Sequence, residues 1–225
     1  MARRLVFLLL PALLALGACG GGGSGANAAD DKKLADAAVL KLADFPSGWT
    51  EGPPPDDTDE ADDPFTKCLG SEAKQLDANT SGEAESAEFS RGEGTTANSF
   101  VAVLKSEDNA KSAIDIMRSQ KLKDCFNDSV GEEIEASAGA EEGVTIGDIS
   151  LKESSFAKVG DEATALQLSV PISAEAIEIT FYADVVFFRE GRSIGGLFLG
   201  NLESPFPSAE AESLAKKMQA RLKAA

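Results

Sequence analysis

The 225-residue chain contains no histidine. That removes the commonest general base and the commonest metal ligand, and with them Ser-His-Asp and Cys-His catalysis. Basic residues are also scarce: 21 Lys and Arg stand against 38 Asp and Glu, for a formal net charge of -17. Nucleic acid needs a basic face, so it is excluded as a partner. An anionic lipid surface would repel the domain as well. Cysteine occurs only three times and never in C-x-x-C spacing, which leaves no zinc or redox motif. There is one Trp and one Tyr. The chain is long enough for one domain with a sizeable core.

No apolar run is long enough to span a bilayer, which takes about 20 residues. Leu5 to Leu16 form a stretch of 12, preceded by Arg3-Arg4. This is the pattern of a signal peptide rather than of an anchor. It ends in Leu16-Gly17-Ala18-Cys19, which resembles the lipobox of bacterial lipoproteins, whose Cys is acylated after cleavage. The expected organisation is a signal peptide over 1–18, an acylated Cys19 with a Gly-rich tether over 19–29, and one extracytoplasmic domain over 30–225. Cleavage before Cys19 removes Arg3 and Arg4 and takes the net charge from -17 to -19. Two acyl chains hold a protein on a membrane where one is marginal. The tether, Gly20 to Gly25, formally satisfies G-x-G-x-x-G, but no strand precedes it, so it is no dinucleotide fingerprint.

The spacing of Leu34, Ala37, Ala38 and Leu42 predicts a helix over 30–44, opened by acidic residues that suit its dipole. Phe45-Pro46-Ser47-Gly48-Trp49 stops it. Trp49 reads either as a core anchor or as a ligand-stacking residue. The stretch 51–64 holds seven acids and four prolines, a solvated loop by composition. A calcium reading fails there, because the glycine and the closing Glu of an EF-hand are missing. A helix is expected from about Gly70 to Ala78, then strands over 87–91 and 99–105 joined by Gly92-Glu93-Gly94. Residues 100–104 are apolar on both parities, as in a strand covered on both sides.

Ser106 caps a helix expected to run to Phe126, with Ala110, Ala113, Ile114, Met117, Leu122 and Cys125 on one stripe and Lys121 as its polar intruder. Residues 127–148 read as loop, and Ile149 and Leu151 as a short strand. Leu166, Leu168, Val170 and Ile172 alternate with polar residues in a strand that Pro171 places at an edge or bulge. A long hairpin spans 177–202 and turns at Glu190-Gly191. Gly195-Gly196 in its second arm suggests a bulge. A final helix opens at Pro207-Ser208 and carries the stripe Ala211, Leu214, Ala215, Met218 and Leu222. The order implies an α+β fold: a largely antiparallel sheet of five to six strands with helices packed on it.

With Cys19 acylated, Cys68 and Cys125 remain, and an exported setting predicts a disulfide between them. Such a bridge stabilises by roughly 4 kcal/mol on the chain-entropy model. Catalytic signals are weak. S-x-x-K occurs at Ser71/Lys74, Ser155/Lys158 and Ser213/Lys216, without the partner motifs of Ser-Lys enzymes. Acids abundant in loops are more simply solvation than a glycosidase pair. No catalytic residue, metal ligand or cofactor is assigned. What remains is apolar surface. Phe181, Phe187, Phe188 and Phe198 cluster on the hairpin, and Val186 and Phe188 fall on its outward parity. A helix covers these two, or they line a groove. The candidate ligand-binding residues are Trp49, Val186, Phe188 and Phe198.

The motif LADFPSGWT at 42–50, Cys68, the strand and helix ending at Cys125, VGDEATALQLSVP at 159–171 and DVVFFREGRSIGGL at 184–197 resemble exported actinobacterial lipoproteins. They are similar to the LpqN-like lipoproteins and to the extracellular sensor domain of the mycobacterial kinase PknH. The resemblance covers about residues 34–223. It implies a sheet-and-helix sandwich, with the Mog1/PsbP type as a candidate, and a binding or sensing role without catalysis. The PknH sensor has two disulfides, whereas this chain can form one. The expectation is therefore a lipoprotein held on the outer face of the cell membrane through Cys19, binding a small apolar ligand or an envelope protein. The alternatives are a cell-envelope hydrolase using carboxylates or a Ser-Lys pair, and a structural spacer.

Overall fold

A computed structural model describes residues 28–53, 64–138, 144–174 and 177–224. The expected signal peptide, Cys19 and most of the tether lie outside these residues, as does most of the acidic loop once weighed for calcium. The sheet is built outward from a hairpin of β8 (Ile177–Glu190) and β9 (Ser193–Leu202), paired antiparallel from Phe181↔Leu202 to Glu190↔Ser193. Its turn is Gly191-Arg192, with Gly191 at φ 56°. On one side β9 pairs with β4 (Thr95–Leu104), and β4 with β2 (Thr80–Glu85) and β3 (Phe89–Arg91); β3 in turn carries β1 (Thr50–Glu51). On the other side β8 pairs with β7 (Glu162–Ala174), which carries β5 (Val144–Ile146) and β6 (Ser150–Ser154). All these pairings are antiparallel.

The α+β architecture is as expected, but among the described residues the sheet has nine strands rather than five to six. The additional ones are short edge pieces. β1 has two residues, β3 and β5 three each, and β2 reads TSGEAE, too short or too polar to show alternation. Their pairing to β3, β4 and β7 supplies the order that their own side chains do not.

Helices cover both faces. On the first face lie α2 (Pro64–Leu69), α3 (Ser71–Asn79), α4 (Glu107–Arg118) and α5 (Gln120–Ala138). Their core joins Leu69, Ile114, Met117, Leu122 and Phe126 to Leu166, Leu168, Phe181, Val185, Phe187, Ile194 and Phe198. On the second face lie α1 (Ala28–Ala38) and α6 (Ser208–Lys223). There Ala35, Ala38, Leu214, Ala215 and Met218 meet Val101, Val103, Val186, Phe188, Leu197 and Leu199. The expected stripe of α6 is buried in full. Residues 100–104 are split as their composition requires, with Phe100, Ala102 and Leu104 facing the first core and Val101 and Val103 the second. Both cores are built from residues 28–224.

Several local expectations change. The first helix starts at Ala28, inside the expected tether, and ends at Ala38; only a 3₁₀ turn, Leu42–Asp44, follows. Its buried side is Asp31, Ala35 and Ala38, while Leu42 is 40% exposed and Ala37 faces solvent. The reason is at Gly82 in β2: a Cβ there would stand 2.4 Å from the Asp31 carbonyl carbon. The α1 backbone therefore rests directly on the strand. The helix expected from Ser106 to Phe126 is two helices broken at Ser119, whose hydroxyl accepts Leu122 N at 3.1 Å. The second continues to Ala138, through residues that composition marks as loop. Phe126, Val130 and Ile134 recur there every four residues, a helical period beneath the acidic background. Lys121 stays exposed and donates to Leu69 O at 2.7 Å.

The pair Gly195-Gly196 forms no bulge, since pairing is continuous on both sides of it. These glycines make room for rings. A Cβ on Gly195 would lie 2.4 Å from Phe188 Cζ, and one on Gly196 2.0 Å from Phe100 Cε1. Pro171 lies within β7 where β6 stops at Ser169 and β5 has yet to pair from Ile172. Its carbonyl accepts Gly147 N at 2.8 Å. A strand residue directs its N–H and C=O to the same neighbour, so the missing N–H falls in that gap. Cys68 of α2 and Cys125 of α5 form the expected disulfide, with Cα atoms 5.5 Å apart.

Candidate functional site

The four residues expected to contact a ligand are all buried, but not together. Trp49, Val186 and Phe188 belong to the second core and Phe198 to the first, with the sheet between them. They therefore do not line one groove. Trp49 packs on Phe45 with ring centroids 4.5 Å apart, and the Arg91 guanidinium lies 4.9 Å above its ring. Arg91 is held in turn by Glu210 of α6 at 3.3 Å. Val186 and Phe188 sit beneath α6, which fulfils the covering-helix alternative for their outward parity.

Phe198 has different neighbours. Its ring, with those of Phe100 and Phe187, forms a trio on the first face with centroids 6.1 to 6.3 Å apart. Bare Gly196 lets the three rings meet over β9. Beside the trio the same face of β4 turns polar. Asn98 stands opposite Phe198 and Thr96 opposite Gly200. They are 3% and 5% exposed, and Asn98 Oδ1 and Thr96 Oγ1 have no hydrogen-bond partner. An orphaned buried acceptor costs about 1–3 kcal/mol, so two neighbouring ones on a central strand are not neutral for folding.

A third polar group is brought in by a bulge. Glu85 pairs with Phe100, and Phe89 with Ala97. Three residues, 86–88, thus oppose two, 98 and 99. Ser86 N bonds Ser99 O at 2.9 Å, which leaves Ala87 and Glu88 facing Asn98. A bulge of this kind re-aims side chains. Phe89 points into the second core, and its neighbour Glu88 is half-buried at the end of the bulge. Burial pushes the Glu88 carboxyl above the usual range for Glu. Gly52 N donates to Glu88 O at 2.8 Å and pins the backbone there.

Sequence reasoning did not single out Thr96, Asn98 or Glu88. A signal was present: Thr96 and Asn98 share parity with Phe100, Ala102 and Leu104 on a strand otherwise apolar on that side. The bulge that brings Glu88 beside them has no mark in the sequence, because it depends on the pairing of two strands.

In the second core Trp49 Nε1 is also buried without a hydrogen-bond partner, whereas two other polar clusters are satisfied within the fold. Arg189 bonds Asp161 at 2.9 Å and Glu162 at 3.0 Å, and Arg118 bonds the same Glu162 at 2.8 Å. Asp184 accepts from Gln167 Nε2 at 2.8 Å and Phe206 N at 3.1 Å, while burial raises its pKa. The three S-x-x-K pairs are exposed, and Lys216 pairs with Glu212; Ser-Lys chemistry needs a desolvated lysine. Among the described residues no three of Cys, Asp and Glu cluster as metal ligands, and no helix is long and apolar enough to cross a membrane.

No family model matches the chain, and no curated protein does. Among solved structures it is similar to the crystal structure of the extracellular domain of PknH from Mycobacterium tuberculosis, at 10% identity over 86% of this chain and 97% of that one, with a TM-score of 0.47.

Proposed function

We propose that this chain is a lipid-anchored, extracytoplasmic, non-enzymatic domain that binds a small, largely apolar molecule on the first face of its sheet. The observation that carries the reading is the juxtaposition of the Phe100, Phe187 and Phe198 rings with the orphaned Asn98 Oδ1 and Thr96 Oγ1. Binding sites combine an apolar lining with a few polar groups that fix orientation. A fold that keeps two unpartnered polar atoms in a core bears a stability cost, and such local conflicts concentrate at functional positions. The placement of Trp49, Val186 and Phe188 in the opposite core removes them from this site and leaves Phe198 in it.

The anchoring part of the proposal rests on Leu16-Gly17-Ala18-Cys19 and on the Gly-rich stretch after it. Cys19→Ala expressed in the native host should lose labelling by a palmitate analogue; labelling that persists refutes the anchor. Native mass spectrometry of residues 26–225, exported and purified without detergent, tests the binding. A retained mass that leaves on denaturation is expected. A bare mass from wild type, together with Thr96→Val more stable than wild type, would refute the site and favour a protein-interaction surface.

A further inference from the structure

The two ends of the sheet differ in charge, and the chain enters the fold at one of them. At the β8–β9 turn Arg192 O accepts Leu104 N at 2.9 Å, Lys105 Nζ donates to Ala78 O at 2.6 Å, and Lys223 near the end of α6 lies 3.6 Å from Glu190. Exposed acids occur at this end too, but bases accompany them: Lys33 lies 3.1 Å from Asp30, and Lys111 3.2 Å from Asp108. At the opposite end Glu93, Asp148, Glu178 and Glu203 are exposed. There Arg91 is held by Glu210 at 3.3 Å, and the strand rows from Tyr182 to Glu178 hold no Lys or Arg. The length of β4 separates the two ends, about 30 Å for ten residues.

We infer that the end around the β8–β9 turn, with Arg192, Lys105, Lys223 and the start of α1, faces the phospholipid headgroups, and that the acidic end points away from the bilayer. The position of α1 carries this. Its first turn is fixed at that end, where Arg192 Nη1 donates to Asp31 Oδ2 at 3.0 Å and the Asp31 backbone rests on Gly82. Only eight residues, 20–27, lie between Cys19 and Ala28. A Gly-rich chain of that length spans about 16 Å root-mean-square and about 30 Å fully extended. The first distance suits the turn end against the lipid. The reverse orientation needs the full extension merely to cover the length of the sheet. Charge acts in the same sense. An anionic leaflet repels acids that come within a Debye length, about 8 Å at physiological salt. With the turn end down, Glu93, Asp148, Glu178 and Glu203 lie several Debye lengths away, and lysines meet the lipid phosphates. The repulsion expected of so acidic a chain is thereby confined to the far end. The inference rests on the anchoring at Cys19 proposed above and adds which surface meets the lipid.

The test uses the mature chain purified from its host in detergent and reconstituted into vesicles of phosphatidylcholine, with and without one-quarter phosphatidylglycerol. A fluorophore is attached through an azide-bearing residue at position 107 or at position 93, exposed sites just beyond the two ends of β4. Energy transfer to an acceptor dye on the lipid headgroups is then measured. The transfer rate from position 107 is expected to exceed that from position 93 at least threefold, and the ratio to rise when phosphatidylglycerol is added. Lys105→Glu with Lys223→Glu should at least halve the ratio on the anionic vesicles and leave it unchanged on phosphatidylcholine alone. Exposed Lys152→Glu on β6, midway between the ends, should leave both ratios as they are. A ratio near one or below it, with the protein bound to the vesicles, overturns the orientation while the anchor stands. Wild-type protein that binds vesicles no better than Cys19→Ala overturns both, since without the anchor the position of α1 brings no surface to the lipid.

Discussion

Arg192 reaches from the β8–β9 turn to Asp31 of α1, 161 positions earlier, with Nη1 donating to Oδ2 at 3.0 Å. The same guanidinium donates to Leu104 O at 2.9 Å, and Ser81 Oγ donates to the same Asp31 carboxylate at 2.7 Å. One buried acid thus joins the first helix, the edge strand β2 and the central hairpin. Arg192 holds the Asp31 carboxyl below the usual carboxylate range. Because the folded pKa is depressed, the stabilisation is present above the ordinary Asp range and fades as pH falls toward the lowered value. Asp31→Asn should therefore destabilise by about 2 kcal/mol at neutral pH, less than for a fully buried pair because Arg192 is partly exposed. The difference should vanish in strong acid. Thermal melts across pH check both parts; a constant difference down to low pH would contradict the pairing.

Gly196→Ala should destabilise by about 1–3 kcal/mol, because its Cβ has no room beside Phe100. A second change, Phe100→Leu, should recover part of the loss, and a double-mutant cycle in denaturant measures the coupling. A glycine required only for backbone shape would show no such rescue.

Reducing the Cys68–Cys125 disulfide should lower stability by about 4 kcal/mol on the chain-entropy model. Urea unfolding with and without reductant gives the difference. Thiol titration of the folded, unreduced domain should find neither cysteine reactive.

Glu88→Gln should raise the melting temperature of the ligand-free domain at neutral pH. Burial raises the Glu88 pKa, so folding disfavours its charged form. The penalty is absent below the ordinary Glu range and grows as pH rises through it toward the raised folded value. The advantage of the Gln variant should therefore disappear below about pH 4. An advantage that is independent of pH would point to a steric origin instead.

The site was less legible than the fold because its polarity is set between strands. Phe198 was marked by the aromatic richness of 177–202, and it lies in the trio. Trp49 and Phe188 were marked for the same kind of reason, yet Trp49 is closed over by Phe45, Phe206 and Arg91, and Phe188 fills the space that Gly195 leaves. An aromatic side chain carries the same signal in a core as in a groove. Asn98 and Thr96 gain meaning only through the absence of partners, which is a property of the packed structure.

By itself the sequence determined the elements with strong periodicity. The alternation of 177–190, the stripe of 211–222 and the two cysteines left after Cys19 specify a central hairpin, a covering helix and a disulfide, because period and residue type dictate which face must leave water. Tertiary structure alone decided the rest. It placed the short edge strands, which are ordered by their neighbours' hydrogen bonds. It seated the first turn of α1 where Asp31 meets Arg192 and where Gly82 admits the helix backbone. It set Glu88 beside Asn98 through one extra residue in a strand pairing, a relationship that exists only once two distant segments are in register.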